Sequence, residues 1–531
     1  MKTKIKLLIQ KGKSLGGTET QNMEAFINNL CAKEADKCPS PSEESPSNPI
    51  HSIVVVGFDH KKGSVVEYQY PSDAQEFPIL PYLSLPDSVH NESHDFLYFT
   101  LQSGGQYLYC VSCFRQVRNS KQAQSLERNC VQKAVVVVSR LPYLGLIASR
   151  MQATTEVYFE QENFENTQIL KDMYESLQNS FENTHSSQLN TGFSTRKLLM
   201  TLKENLMVLF KLLLLEAKVI VFSKKPSNLS CAIWSLLSLY PGQLCFRSKH
   251  FRSYLGRLGT YGLPLELFHS NCELHPYFSI FQLEDMQAKG YLMGCTNEMI
   301  VQHPKSEPHA ILDLDSSSLT VLLTKQEQKA LKLSKHEKLF IKNLVRVISN
   351  QKTDKTFHSS ESWFGSENLE WEGSNEHIKT EFHNFLKEIL SNLALLKLKF
   401  LGDTDYKEAI PSDSETEEQT NNYLHLDPKL GKFRKYKKFT KGFKKEFLIK
   451  WSYTSNFKVW ARKHPKVLGV LSPLAGNLHS GPVQKVRVVY ENGETYTGSM
   501  QNGKRQGVGV LTDREGNKYE GEWQDNMVCV Y

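Results

Sequence analysis

The sequence has no run of about 20 uncharged apolar residues, the length a membrane-spanning helix requires. Its nearest approach, Leu206–Phe222, carries Lys211, Glu216 and Lys218. It reads as a buried helix running into a buried strand over Lys218–Phe222. The basic start, Met1–Lys13, offers only Leu7–Ile9 as an apolar stretch, too short for a secretory signal, and no lipidation signal is evident. Closely spaced cysteines are almost lacking. Of ten, only Cys110 and Cys113 are neighbours, and no second pair or nearby histidine pair completes a metal site. They lie in the alternating run Tyr107–Val117, where a spacing of three puts them on opposite strand faces. Ordinary buried thiols in a reducing compartment are expected.

Signatures of covalent catalysis are missing as well. Gly12-Lys13-Ser14 ends like a phosphate-binding loop, but Leu7 stands where its first glycine belongs and no strand precedes it. Gly256, Gly259 and Gly262 do not spell a dinucleotide fingerprint and fit a loop. No HExxH or G-x-S-x-G occurs, and His269 and His275 read as polar loop or cap residues. These absences point away from hydrolases and oxidoreductases, and no cofactor, metal site or catalytic residue is expected. The formal charge of +7 over 531 residues is too mild for wholesale nucleic-acid binding.

What is present is an ordinary globular composition, 40% hydrophobic and 23% charged, in a chain long enough for roughly two to four domains. Residues 1–50 are polar and end in a Ser/Pro/Glu cluster, a flexible tail. Order begins with the buried strand Ile53–Val56, a turn at Gly57–Gly63 and the alternating strand Val65–Tyr70. Strands follow at Phe96–Leu101, Tyr107–Val117 and Val135–Val138, then helical periodicity over Phe164–Ser180. A second unit starts near Thr195 and alternates helices with strands, which argues an α/β fold. Ser316–Asn350 and Glu376–Leu401 read as helical.

The last quarter differs in character. Residues 402–428 form an acidic linker. Lys429–Lys466 holds 14 Lys or Arg against Glu446 alone, a net +13 that leaves −6 for the rest of the chain. Phe433, Tyr436, Phe439, Phe443, Phe447 and Trp451 recur at spacings of three and four, one helical face. Gly431 and Gly442 weaken that helix. A basic amphipathic helix over 429–470 suits an anionic membrane surface through Lys435, Lys437, Lys438, Lys444, Lys445, Phe443, Phe447 and Trp451. Docking of the aromatic face on the protein's own core is the alternative, and nucleic acid a weaker third. At 485–531, Tyr496-Thr-Gly498, Gly507-Val-Gly509 and Tyr519-Glu-Gly521-Glu-Trp523 repeat with period 23. They resemble one MORN repeat and the start of a second, a small β-hairpin unit whose aromatics pack between hairpins and whose glycines permit tight turns.

A further set of words runs in order along the first 400 residues. Ile53-Val-Val-Val-Gly57-Phe-Asp-His-Lys-Lys-Gly63 opens it, then Pro81-Tyr-Leu-Ser-Leu-Pro86-Asp87 and Val111-Ser-Cys-Phe-Arg115-Gln116. Gln132–Ser139, Lys218–Ser223, Ala232–Gly242 and Tyr261–Leu265 follow, and Gly290-Tyr-Leu-Met-Gly294-Cys-Thr296-Asn297 completes it. Together they resemble a tripartite DENN module of the late-secretory Avl-nine type. The resemblance implies a bilobed α/β fold: a longin-like lobe over 51–180, a central lobe over 195–320 and a helical part over 321–401. It implies a Rab-family GTPase bound between the lobes, with GDP release promoted and no bond broken. It also implies a cytoplasmic protein held peripherally at Golgi, secretory-vesicle or recycling-endosome membranes. Gly57, Pro86, Asp87, Arg115, Gly290, Gly294, Thr296 and Asn297 either touch the GTPase or only fix backbone and turns. A non-catalytic Rab-binding scaffold is the first alternative, and a MORN-led lipid or cytoskeletal adaptor the second. The choice of Rab, organelle and lipid, and the oligomeric state, stay open.

Overall fold

A computed structural model describes residues 48–87, 93–103, 106–118, 130–161, 164–181, 186–245, 251, 263–350, 372–401, 442–463, 484–489, 494–501, 504–513, 516–524 and 527–529. The first unit is built on five antiparallel strands: β1 (Ile50–Asp59), β2 (Gly63–Tyr70), β3 (His94–Ser103), β4 (Gln106–Arg118) and β5 (Cys130–Ser139), in the order β2-β1-β5-β4-β3. Val135–Val138 of β5 are all fully buried. Such continuous burial needs cover on both sheet faces. Cys113 of β4 meets Thr155 of helix α2 (Leu144–Glu160), whereas its neighbour Ser112 donates to the Ser84 carbonyl of α1 (Leu80–Ser84), 2.8 Å away. Each valine so enclosed contributes about 1.5–3 kcal/mol. Helix α3 (Gln168–Asn179) completes this layer, with Gln178 bonded to the backbone of Ile50. Burial pushes the Cys113 thiol up to about 11, so it is an inert neutral group in the sheet.

The second unit begins with α4 (Thr195–Leu202), started by the Ser194 side chain, and α5 (Glu204–Leu214). Lys203, at φ +48°, separates the two helices. Strand β6 (Lys218–Phe222) follows directly, as the Leu206–Phe222 pattern predicts, and among the described residues no helix is long and apolar enough to cross a membrane. Then come α6 (Pro226–Ser238), β7 (Cys272–His275), β8 (Gly290–Cys295), α7 (Glu298–Gln302), β9 (Ala310–Asp313) and β10 (Ser318–Val321). The sheet runs β10-β9-β6-β8-β7, parallel except at β10. Residues 318–321 are read from sequence as helical. Their alternation of exposed and half-buried residues instead makes a short edge strand on β9.

Three helices close this unit: α8 (Lys325–Leu331), α9 (Lys335–Asn350) and α10 (Asn375–Leu401). Two more, α11 (Lys445–Ser452) and α12 (Ser455–Lys463), return to pack on it. A last antiparallel meander comprises β11 (Gln484–Val489), β12 (Thr495–Gln501), β13 (Lys504–Thr512), β14 (Lys518–Gln524) and β15 (Met527–Cys529).

Two histidines in the second unit are held neutral. His309 Nδ1 accepts from the Lys218 N–H at 3.0 Å, His383 Nε2 lies 3.2 Å from the Ser238 carbonyl, and burial lowers each to about 4. An unfolded histidine takes its proton near pH 6.5. Their contribution is therefore complete above that pH and is lost as pH falls towards 4. Each should remove about 2 kcal/mol by pH 5. His336, raised by Glu388, works in the opposite direction. Thermal melts should show a lower midpoint at pH 5 than at pH 7, and His383→Gln should flatten that difference.

Candidate functional site

The two units meet along a seam joined by two aspartates. Asp95, buried at the start of β3, accepts from the Ser227 N–H at 2.9 Å, in the first turn of α6. The α6 N-cap residue, Lys225, supplies no side-chain cap, so the helix takes one from the other unit. Three residues further along β3, the Tyr98 N–H donates to Ser230 Oγ at 3.0 Å. Asp87 follows α1. Its backbone N–H donates to Tyr277 Oη at 2.8 Å, while its carboxylate accepts from Ser279 Oγ at 3.1 Å and the Ile280 N–H at 3.3 Å. Asn297 also bonds to this carboxylate. Burial raises both aspartates, and the donated hydrogen bonds oppose it.

Around Asp87 the seam is apolar and open. Tyr82 of α1 packs on Phe281 with ring centroids 4.5 Å apart, one aromatic from each unit. Phe281 remains 62% exposed and Met299, on α7, 65%. Asn297 accepts from the Met299 N–H at 2.9 Å, which starts α7 and holds Met299 at the surface. Exposed aromatic and thioether groups around a half-buried polar centre have the character of a protein-binding hot spot.

The structure sorts the sequence-predicted residues into groups. Pro86, Asp87, Gly294, Thr296 and Asn297 come together at this seam. Gly294 is a close-approach glycine: a Cβ there would strike the Pro276 carbonyl and lie 2.6 Å from Ile233 Cδ1. At Gly290, the far end of β8, a Cβ would strike the Glu216 carbonyl. Gly57, Lys133 and Arg115 form a row across β1, β5 and β4. There Lys133 pairs with Glu67, and Arg115 pairs with Glu156 at 3.3 Å over the Phe159 ring. This row is separate from the Asp87 cluster in the hydrogen-bond network. Asp95, Tyr277, Ser279, Phe281 and Met299 are not among the residues the sequence singles out. Their partners lie far along the chain, and no local pattern marks them.

The aromatic residues assigned to membrane contact are corrected. Phe443, Phe447 and Trp451 are buried in the main core. Phe443 lies against His336 and Phe385, and Phe447 lies under the Lys211 ammonium at 4.6 Å. An apolar face enclosed by protein has no area left for lipid. Gly442, at φ +100°, precedes α11, so the single long aromatic helix does not continue back across it. Lys444 and Lys445 are half-buried at the start of α11. Lys435, Lys437 and Lys438 lie outside the described residues, as do the 1–50 tail up to residue 47 and the 402–428 linker.

In the meander, Gly498, Gly509 and Gly521 align across β12, β13 and β14, and Tyr496, Leu511 and Tyr519 form the parallel row. The buried Tyr496 ring lies over Gly498 and Gly509, where a side chain would collide with it. Gly507 pairs in register with Trp523. The period of 23 residues thus corresponds to a physical ladder.

Replacing Asp87 with alanine should orphan the Ser279 hydroxyl and the Ile280 N–H, a loss of about 1–3 kcal/mol. Asp87→Asn keeps acceptor capacity and should recover part of it. Urea denaturation of the full chain measures both, and equal midpoints for the two variants would show that acceptor capacity is irrelevant there.

A family model described as transport protein Avl9 matches residues 50–247 and 246–393. Late secretory pathway protein AVL9 of Saccharomyces cerevisiae is 27% identical over 408 residues, 65% of this chain and 52% of that protein. The chain thus spans about half the length of that relative. Late secretory pathway protein avl9 of Schizosaccharomyces pombe is 25% identical over 451 residues, 79% of this chain and 88% of that protein. Protein DENND6A of Gallus gallus is 30% identical over 142 residues, 21% of this chain and 24% of that protein.

Proposed function

Because the chain belongs to the Avl9 family of transport proteins, we propose that it regulates vesicle traffic in the late secretory or endosomal pathway as a nucleotide-exchange factor for a Rab GTPase. The first unit serves as the longin-like lobe and the second as the central DENN lobe, with α8–α10 its helical part. The meander serves as a MORN unit. The observation that carries this reading is the seam, where Tyr82, Phe281 and Met299 offer one apolar surface built from both lobes around Asp87. A partner lying across it touches both lobes at once.

Exchange needs no nucleophile. It needs a surface with higher affinity for the nucleotide-free GTPase than for the loaded one, and the acceleration comes from that difference in affinity. The seam supplies the ingredients: apolar area, an aromatic pair and a fixed polar centre. The protein acts from the cytoplasmic side of Golgi, secretory-vesicle or recycling-endosome membranes.

The test is release of labelled GDP from a panel of Rab GTPases in the presence of the full chain. At least one member should release GDP faster. Phe281→Ser with Met299→Ser, both surface changes, should weaken that effect at least about 10-fold, the loss of roughly 1.4 kcal/mol of hot-spot contact. Binding without acceleration identifies a Rab-binding scaffold instead. No binding by any member overturns the proposal.

A further inference from the structure

Helices α8 and α9 separate their charges by sign. Both carboxylates point inward: Glu327 closes a capping box with Thr324, and Glu337 accepts from the Ser334 N–H and pairs with Lys211. The lysines point outward. Lys325 and Lys329 of α8 are exposed, and Lys332 continues the strip. On α9 the exposed cations are Lys335, Lys338, Lys342 and Arg346, at spacings of three, four and four along one helical face. Glu204 pairs with Lys338 at 3.1 Å, a surface pair that neutralises little, and Glu446 is the exposed acid on the adjoining α11.

Two leucines stand among these cations. Leu339 is 56% exposed and Leu322 53%. The opposite face of α9 buries Ile341, Leu344 and Ile348, so the helix lies along the body with its cationic side outward. Lys444 and Lys445 adjoin this surface, since the Ser334 hydroxyl donates to the Gly442 carbonyl and the Phe443 ring lies 5.5 Å from His336.

We propose that the outer face of α8 and α9 is a docking surface for an anionic lipid bilayer. The charge calls for a polyanionic partner, and the exposed leucines call for one with an apolar layer just beneath its charge. A bilayer interface supplies both, and a basic helix lying flat with apolar residues among its cations suits that plane. Single-stranded nucleic acid is read by stacking aromatics, and neither helix carries an exposed one. The surface is independent of the GTPase reading and goes beyond it. It also gives the basic C-terminal segment a new place: its described beginning adds lysines to α9, while its aromatics hold it down.

Flotation of the full chain with phosphatidylcholine vesicles, with and without phosphatidylserine and phosphoinositide, tests the proposal. Binding should require anionic lipid and weaken as salt shortens the range of the charges. Lys335→Glu, Lys342→Glu and Arg346→Glu combined should reduce partitioning about 100-fold, and Leu339→Ser alone by about threefold. Melting midpoint and GDP release in solution should stay at wild-type values, which separates this result from any failure of the exchange reading. Undiminished binding of the triple variant overturns the proposal. So does a wild-type chain that ignores anionic vesicles, including one that binds an RNA homopolymer or an acidic polypeptide instead.

Discussion

Lys211→Met should be among the most destabilising single substitutions in the molecule. The Lys211 and Glu337 side chains are 0% and 1% exposed, with Nζ and Oε1 3.1 Å apart. Burial lowers the Lys211 ammonium, and the Glu337 carboxylate opposes that shift. Removing the cation leaves Glu337 buried without its counter-charge, for which a loss of about 3–5 kcal/mol is typical. The cation also lies over Phe447, so α11 loses a contact at the same time. Glu337 has a second duty, accepting from the Ser334 N–H at 2.6 Å at the start of α9. Glu337→Gln preserves that acceptor while removing the charge. The pair Lys211→Met with Glu337→Gln should therefore recover most of what the single variant loses. Urea denaturation of the three variants decides the matter. A double variant no more stable than Lys211→Met would show that the orphaned charge is not the cause.

The same residues mark where the sequence can and cannot be read. Lys211 in an apolar helix is enough to exclude a membrane span, but nothing local says that its partner is Glu337, 126 positions on. The valine runs of β1 and β5 are legible because burial on both faces permits no polar alternation. The strand β10 is not, since four residues hold too little periodicity to tell an edge strand from the helices that follow. Pro86-Asp87 reads as a turn. Its role at the seam depends on Tyr277 and Ser279, about 190 residues away, brought close only by folding of the second sheet. The three-and-four spacing of Phe443, Phe447 and Trp451 shows that one face of a helix is apolar. Periodicity carries no information on whether lipid or protein covers that face, and here the Lys211–Glu337 pair and Glu216 decide for protein.

Trp451→Ala should separate those two fates directly. Trp451 is fully buried, stacked on Phe447 at 6.0 Å and edge-on to Phe457 at 5.6 Å. Its indole N–H donates to Asn456 Oδ1 at 2.9 Å. Asn456 in turn donates through its side chain to the Leu214 carbonyl at 3.0 Å and through its backbone to Glu216 Oε1 at 2.6 Å. Glu216 thereby caps α12 from the second unit, accepting also from the Ser455 N–H at 3.2 Å. Truncating the indole removes its packing, about 3–5 kcal/mol for a buried tryptophan, and leaves the Thr454 hydroxyl, at 3.2 Å, as the remaining donor to Asn456 Oδ1. The loss falls on the hold of α11 and α12 on the body, so limited proteolysis should cut between 401 and 463 more readily than in the wild type. Vesicle binding by the still-folded fraction should persist, because the cations of α8 and α9 are untouched. A bilayer-inserted tryptophan would give the reverse result, with stability kept and vesicle binding lost, and that outcome would return the aromatic face to the membrane.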